Sequence, residues 1–371
     1  MRITNQMLYS QVTTGIDQSS EQMYKLNSEI SSGKQINSPS DNPIGLSTVL
    51  AYRSELSVNT QYQSNITYAN GWLSQMDSSL QDVQNLLNNA SQIAVQQSSS
   101  TATADTRASA ANAVEQIRSE ILSIANQTYN NKYLFSGTMT QNEPYLDVDA
   151  ANLQDDVATM SSTPPASPAD GDRYIDTAND ATKDHILQYS SATSSWVDQG
   201  APTEGTAVTV DDQNEMYVYT GGEWKTMYQG NDSGISVQIA AGQSAQTNIP
   251  GSEIFSNSSG NIMASLLNLE KALTDNDQSG ISAQLTGISD AGTVVSNALA
   301  TVGGTVNRLD DTNNRLTSNS TDITASVSNI EDLDYAQGIT DLTNEQTIYE
   351  ATLKSASMIT GLSLADFLST T

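Results

Sequence analysis

Four aromatic residues are the part of this 371-residue chain whose type and spacing could recognise a ligand: Tyr189, Trp196, Tyr219 and Trp224. They fall in two stretches that echo each other. His185-Ile186-Leu187-Gln188-Tyr189 leads to Trp196-Val197-Asp198-Gln199-Gly200, and Met216-Tyr217-Val218-Tyr219 leads to Gly221-Gly222-Glu223-Trp224-Lys225. Each reads as a strand, a Gly/Ser-rich turn and a second strand opening on Trp, which predicts a degenerate repeat of two β-hairpins packing their rings together. Exposed, such rings stack on sugars. The commoner use is as the core of a small β domain that lacks other bulky residues.

Catalysis finds little footing. His185 is the one histidine, so neither an HExxH zinc site nor a base for Ser-His-Asp chemistry with a G-x-S-x-G elbow is at hand. There is no cysteine, which removes thiol catalysis and thiolate metal sites. Asp147, Asp149, Asp155 and Asp156 lack the glycine and terminal glutamate of a calcium loop and read as a solvated acidic stretch. No phosphate-cradling glycine loop is present, so no metal, cofactor or enzymatic activity is expected. The formal net charge of −28 repels phosphate backbones and anionic lipid heads, so nucleic acid and membrane are excluded as expected partners.

The elements that must carry the aromatic stretches follow from the prolines. None occurs from Ile44 to Glu143 or from Gly251 to Thr371, whereas six of the eight lie between Gly137 and Ser256. The chain therefore runs out as helix, makes a β-type excursion and returns as helix. The expected fold is mainly α with an inserted β domain: an elongated antiparallel helical bundle or coiled coil formed by both termini, plus an outer β-rich domain. Its expected segments are an N-terminal assembly helix and hinge (1–44), a helical rod (45–140), the outer domain (141–250), the returning rod (251–334) and a C-terminal assembly helix (335–371). Thr163-Pro164-Pro165-Ala166-Ser167-Pro168 reads as a linker into the outer domain, and Ile235-Ser236-Val237-Gln238-Ile239 as a strand closing it.

Seven-residue repeats mark the helices. Val302, Leu309, Leu316, Ile323 and Ile330 form a firm apolar seam, and Val306, Asn313, Ser320 and Val327 a softer one. Leu73, Met76, Leu80, Val83, Leu87 and Ala90 answer from the N-terminal arm, with Val114, Ile117, Ile121 and Ile124 in a second helix. At the extreme ends the apolar residues are too sparse to fold without another subunit. Ile3, Met7, Val12, Ile16, Met23, Leu26 and Ile30, with Leu333, Ile339, Leu342, Tyr349, Leu353, Leu362, Leu364 and Phe367, are the expected interface between subunits. Between the first two helices, Gly33, Asn37, Pro39, Asp41, Pro43 and Gly45 read as a hinge: glycine caps one helix, and the prolines forbid its continuation.

Ser31 to Gly45, with its small-Gly-basic-x-Ile-Asn core, resembles the spoke-region signature of the flagellin superfamily. The paired prolines, Asn130-Asn131-Lys132-Tyr133-Leu134-Phe135-Ser136-Gly137-Thr138 and Tyr228-Gln229-Gly230-Asn231-Asp232 resemble its hook–filament junction branch more than filament flagellin. Gly71-Trp72-Leu73, Val306-Asn307-Arg308-Leu309-Asp310, the run from Ile330 to Gln346 and Leu362-Ser363-Leu364-Ala365-Asp366-Phe367-Leu368 point the same way. The resemblance implies a structural subunit of the extracellular bacterial flagellum that joins the hook to the flagellin filament. Its implied partners are like subunits in a ring, the first hook–filament junction protein, flagellin, an export chaperone and the type III export apparatus. Export would proceed without a cleaved signal peptide, since the N-terminal residues offer no apolar h-region. The alternatives are a filament flagellin, or an adhesin whose outer domain binds glycan.

Overall fold

The computed structural model describes residues 5–369 apart from Asn179 and Asn214, with side chains described from Met7 to Met358 apart from Leu8 and those two. It divides into two compact units, residues 1–61 with 314–371, and residues 62–313.

The described residues hold six α-helices: α1 (Asn5–Ser32), α2 (Pro43–Gln97), α3 (Ala104–Ala125), α4 (Ile262–Thr274), α5 (Gln278–Glu331) and α6 (Tyr335–Ser369). Their ends follow local chemistry. Gly33 takes φ +73° and donates its N–H to Glu29 O, closing α1 in the left-handed conformation that only glycine reaches without strain. Asn42 Oδ1 accepts from Gly45 N–H, with Pro43 in the first helical position of α2, where a missing donor costs nothing. Thr103 and Thr106 form a reciprocal capping box on α3.

In the 62–313 unit the expected seam is buried: Leu73, Met76, Leu80, Val83, Leu87 and Ala90 on α2 are each at most 2% exposed. Val114 and Ile121 on α3 are fully buried, whereas Ile117 and Ile124 are half-buried. On α5 Val302 and Leu309 are closed off, and the softer positions Val306 and Asn313 are half-buried, which matches their mixed polarity. Helix α3 also packs on α4. The pairing rests on apolar residues plus one buried ion pair, Arg118 Nε to Glu270 Oε2 at 2.9 Å, with Asp147 Oδ1 3.1 Å from Arg118 Nη1.

The excursion begins with the hairpin β1 (Thr128–Tyr129)–β2 (Lys132–Tyr133). It continues with β3 (Met160–Ser161), β4 (Arg173–Asp176), β5 (Ile186–Ser190), β6 (Ser195–Asp198), β7 (Ala207–Val210), β8 (Glu215–Thr220) and β9 (Glu223–Thr226). Two further hairpins, β10 (Ser236–Ala240)–β11 (Gln243–Gln246) and β12 (Ser256–Asn257)–β13 (Gly260–Asn261), lead back to α4. The outgoing and returning chains are clasped by two separated sequence motifs. Tyr228 Oη donates to Phe135 O and Asn231 O at 3.0 Å each, Asn231 N–H to Ser136 O at 3.3 Å, and Thr138 N–H to Asn231 Oδ1 at 2.8 Å. Gly137 sits at φ +67°, and a Cβ there would lie 2.0 Å from Asn231 O. Phe135, Phe255 and Tyr145 stack edge to face beneath the clasp.

The expected hairpin repeat is present and longer than expected. β4–β5–β6 and β7–β8–β9 are two antiparallel meanders with the same hydrogen bonds at equivalent places. Gly171 N–H donates to Tyr189 O and Tyr189 N–H to Asp172 O; Gly205 N–H donates to Tyr219 O and Tyr219 N–H to Thr206 O. Both glycines have positive φ, +93° and +85°. One stretch, residues 153–161, runs parallel to both, pairing Leu153 and Val157 with β7 and, as β3, pairing with β4. Val157, Ile175, Ile186, Val208 and Val210 close a shared core, with Met160, Tyr217 and Trp224 against it.

The expectation that the rings of the two hairpins pack together needs correction. Each Trp stacks on the Tyr of its own hairpin, at 5.4 Å and 64° for Tyr189–Trp196 and at 5.4 Å and 66° for Tyr219–Trp224. Directly opposed cross-strand neighbours meet sooner than residues of separate sheets.

Candidate assembly interface

In the unit formed by residues 1–61 and 314–371, α1 and α6 run antiparallel and pack along one stripe. From α1 the stripe takes Val12, Ile16, Ser19, Met23, Leu26 and Ile30, spaced alternately by four and three as in a coiled coil. From α6 it takes Gly338, Leu342, Glu345, Tyr349, Thr352 and Ala356, with the same spacing. Leu26 and Ser19 are buried and the rest of the α1 stripe is half-buried. Ser19 Oγ donates to Glu345 Oε1 at 2.5 Å, and the two helices come close at Gly15, where an added Cβ would lie 3.6 Å from the Thr352 methyl. On the α6 side the seam thus mixes small or polar residues with Leu342 and Tyr349.

Four other large apolar residues of α6 point elsewhere. Ile339, Ile348, Leu353 and Met358 are 55, 52, 42 and 57% exposed. At 100° per residue they spread over the sides of the helix that α1 leaves open. A helix apolar on several sides is built to be surrounded. On α1, Met7, Tyr9 and Tyr24 are exposed as well, and so are Ile44, Leu50 and Val58 on the first turns of α2.

The expected interface residues therefore divide. Val12, Ile16, Met23, Leu26, Ile30, Leu342 and Tyr349 lie on the seam between the chain's own two end helices, so the ends do pair without a second subunit. Met7, Ile339 and Leu353 face outward, and Leu333 is half-buried beside Gly338. Ile3 lies outside the described residues, and the side chains of Leu362, Leu364 and Phe367 lie outside the described ones.

The hinge is tied down at a level where both chains break. Between α5 and α6, residues 331–334 meet residues 33–36 as a short ladder: Gln35 N–H donates to Glu331 O, Leu333 N–H to Gly33 O, and Lys34 bridges Asp332. The Glu331 carboxylate, 8% exposed, is held by Lys34 Nζ and Arg53 Nη2, each at 2.7 Å. A side chain at Gly33 would be strained by the φ of +73° and would displace the exposed Tyr335 hydroxyl, 2.8 Å from an added Cβ. Asp41 Oδ2 accepts from Asn37 and Ser38 N–H, and Ile36 is buried. The expected hinge residues Gly33, Asn37, Pro39, Asp41, Pro43 and Gly45 lie in or beside this break, and Lys34, Arg53 and Glu331, which tie it down, were not among the expected site residues. Nothing local pairs residues about three hundred positions apart.

Burial opposes ionisation of Glu331, but the Lys34 hydrogen bond and the Arg53 and Lys34 charges outweigh it and hold the carboxyl below its ordinary value. A depressed carboxyl contributes stability that is present above the unfolded-state value and lost as pH falls through the folded one. Exchange of the Gln35 and Leu333 amides, taken relative to the intrinsic rate at each pH, is therefore expected to accelerate as pH falls from the ordinary carboxyl value to below it. In Glu331→Gln it is expected to be fast already at neutral pH, with no further acid step. An acid step that survives in the variant would assign it to another group.

Elsewhere the candidate groups are engaged singly. Asp147 pairs with Arg118, Asp149 caps a short helix through Ala151 N–H, and Asp155 lies near Arg173. His185 Nδ1 lies 3.0 Å from the Asp198 carboxylate. Among the described residues no group of three or more potential metal ligands converges, and no helix is long and apolar enough to cross a membrane.

Comparison with known proteins places this geometry. The family model for the bacterial flagellin N-terminal helical region matches residues 3–140, and that for the flagellin C-terminal helical region matches residues 285–368. The chain belongs to the flagellin family. Flagellar hook-associated protein 3 of Salmonella typhimurium and that of Escherichia coli are each 34% identical to this flagellin-family chain over 146 residues, 39% of this chain and 46% of the relative. The match thus spans less than half the length of these curated relatives. A solved structure assigned as a flagellar hook-associated protein of Vibrio parahaemolyticus shares the fold, with a TM-score of 0.53 at 20% identity, over 79% of this chain and 100% of that one. Residues 142–225 match a separate family described only as a protein of unknown function. In this flagellin-family chain the flagellin matches hold α1, α2, α3, most of α5, nearly all of α6 and the two breaks, α4 lies outside them, and the separate match falls on the β excursion.

Proposed function

We propose that the chain is a structural subunit of the bacterial flagellum that joins the hook, through the first junction protein, to the flagellin filament. The observation that carries the reading is the apolar character of α6 on sides that α1 does not cover. Like subunits in a ring, and the hook-side and filament-side lattices above and below, would cover Ile339, Ile348, Leu353 and Met358. The tied break at Gly33 and Glu331 would hold the end helices at the angle the ring requires. The likeness to hook-associated protein 3 in two species favours the junction over the filament. The role is structural rather than enzymatic. Before assembly the same exposed α6 residues are the natural place for an export chaperone, and export through the flagellar type III apparatus accounts for an extracellular location.

Immunogold labelling of intact flagella with an antibody to residues 160–230 tests the reading. A single band at the hook–filament boundary is expected. Label along the whole filament would make the chain a filament flagellin and overturn the junction assignment.

A further inference from the structure

Helix α6 carries one base, Lys354. Two residues past Thr352 on the seam, it lies about 200° round the helix from that contact and projects away from α1. It is exposed, and among the described residues it makes no ion pair, although Glu350 lies one turn before it. Met358, one turn on, shares this outward face and is 57% exposed.

A cleft of about 480 Å³ runs along α1 beside the hinge turn, with Glu21, Gln22, Lys25 and Glu29 on one wall and Ser38 and Asp41 on the other. The four helical residues follow one another by one, three and four positions, so they share one face of α1, next to the seam and clear of it. The charges of the cleft do not balance. Three carboxylates meet one ammonium, and Lys25 Nζ is 3.9 Å from both Glu29 Oε1 and Asp41 Oδ1, the outer limit of an ion pair. Burial pushes the Glu29 carboxyl above its ordinary value, and the Asp41 and Asp341 charges add to the rise against the pull of Lys25. A second cation would relieve both. Tyr24 stands at the rim, 79% exposed, and offers a ring on which a thioether can lie.

The unpaired base and the under-neutralised cleft are different patches of one compact unit. Lys354 points away from its own α1, so the two meet only between copies. Unlike patches make a head-to-tail contact, which propagates into a ring or a helix instead of stopping at a dimer. We propose that α6 of one copy docks along the α1 cleft of the next, with Lys354 entering between Glu21, Glu29 and Asp41 and Met358 lying against Tyr24. This contact rests on the ring reading above and names the two surfaces that build the ring.

The chain has no cysteine, so introduced pairs report without background. Flagella carrying Glu21→Cys/Lys354→Cys chains, treated with a short bismaleimide, are expected to yield a ladder of crosslinked multimers, and neither single variant should. Charge reversal gives the second readout. Lys354→Glu and Glu21→Lys, both at exposed positions, should leave thermal unfolding unchanged and each lower the amount of chain retained on the flagellum by about tenfold. The Glu21→Lys/Lys354→Glu chain should recover it. Single reversals retained like the parent, a double reversal no better than the singles, or retained double-cysteine chains that give no multimers would each overturn the proposal. Failure of the junction reading is distinguishable: multimers from flagella labelled along the whole filament would uphold this contact and overturn that reading.

Discussion

Arg118→Met is expected to destabilise the 62–313 unit by about 3–5 kcal/mol at neutral pH, because it strands the Glu270 carboxylate in the α3–α4 interface. Arg118 and Glu270 are 6% and 10% exposed at the side chain, and among the described residues no other cation pairs with Glu270. Burial already pushes the Glu270 carboxyl upward, and the Arg118 hydrogen bond and charge pull it back only in part. A raised carboxyl contributes stability that is present below the unfolded-state value and lost as pH rises through the folded one. The deficit of the variant should therefore shrink as pH falls into the range above the ordinary carboxyl value, where the raised Glu270 carboxyl takes up its proton. Arg118→Met/Glu270→Leu should recover most of the loss, since an apolar pair of similar volume replaces a buried ion pair at little cost. Urea unfolding across pH checks all three statements. A single variant that loses less than about 1 kcal/mol would show that solvent reaches the pair and screens it.

Ile339→Asp and Leu353→Asp are expected to leave the unfolding of the free chain unchanged and to abolish its assembly. Both side chains lie off the α1 seam and are about half exposed, so the free chain loses no buried contact. In an assembled ring each would bring a carboxylate into an apolar contact, weakening association by at least about 100-fold. Cells expressing only the variant should then secrete filament protein without retaining it on the hook. Leu342→Asp makes the contrast. It lies on the seam and should loosen the α1–α6 pair in the free chain, visible as faster amide exchange along α1. Assembly that survived Leu353→Asp would place the contact surface on α1 and α2 instead, at Tyr24, Ile44 or Val58.

The helical arms and the excursion were legible in the sequence because their signals are local. A run of a hundred residues without proline, a seven-residue repeat and a Gly/Pro-rich interruption each act through the nearest turn of backbone. The buried seams of α2 and α5 follow that periodicity residue by residue. The hairpin repeat was legible for the same reason, through its Tyr–turn–Trp frame.

Partner choice was not legible. Heptads at residues 12–30 mark a stripe that must be covered, and that stripe looks the same whether the partner is α6 of the same chain or a helix of another subunit. Of the α6 seam only Leu342 and Tyr349 were expected; Gly338, Glu345 and Thr352 between them read as small or polar. Close helix approach needs small side chains, and these carry no hydrophobic signal. Ion pairing was hidden in the same way: Lys34, Arg53 and Glu331 meet only because two helix breaks fall at one level. The sequence by itself determined where helices begin, break and end, and that a β excursion separates them, since backbone sterics and hydrophobic period are short-range. Only the tertiary structure decided which stripe faces which, which of two like Tyr–Trp pairs packs on the shared core, and which apolar residues remain for neighbours, because those depend on contacts between residues far apart in the chain.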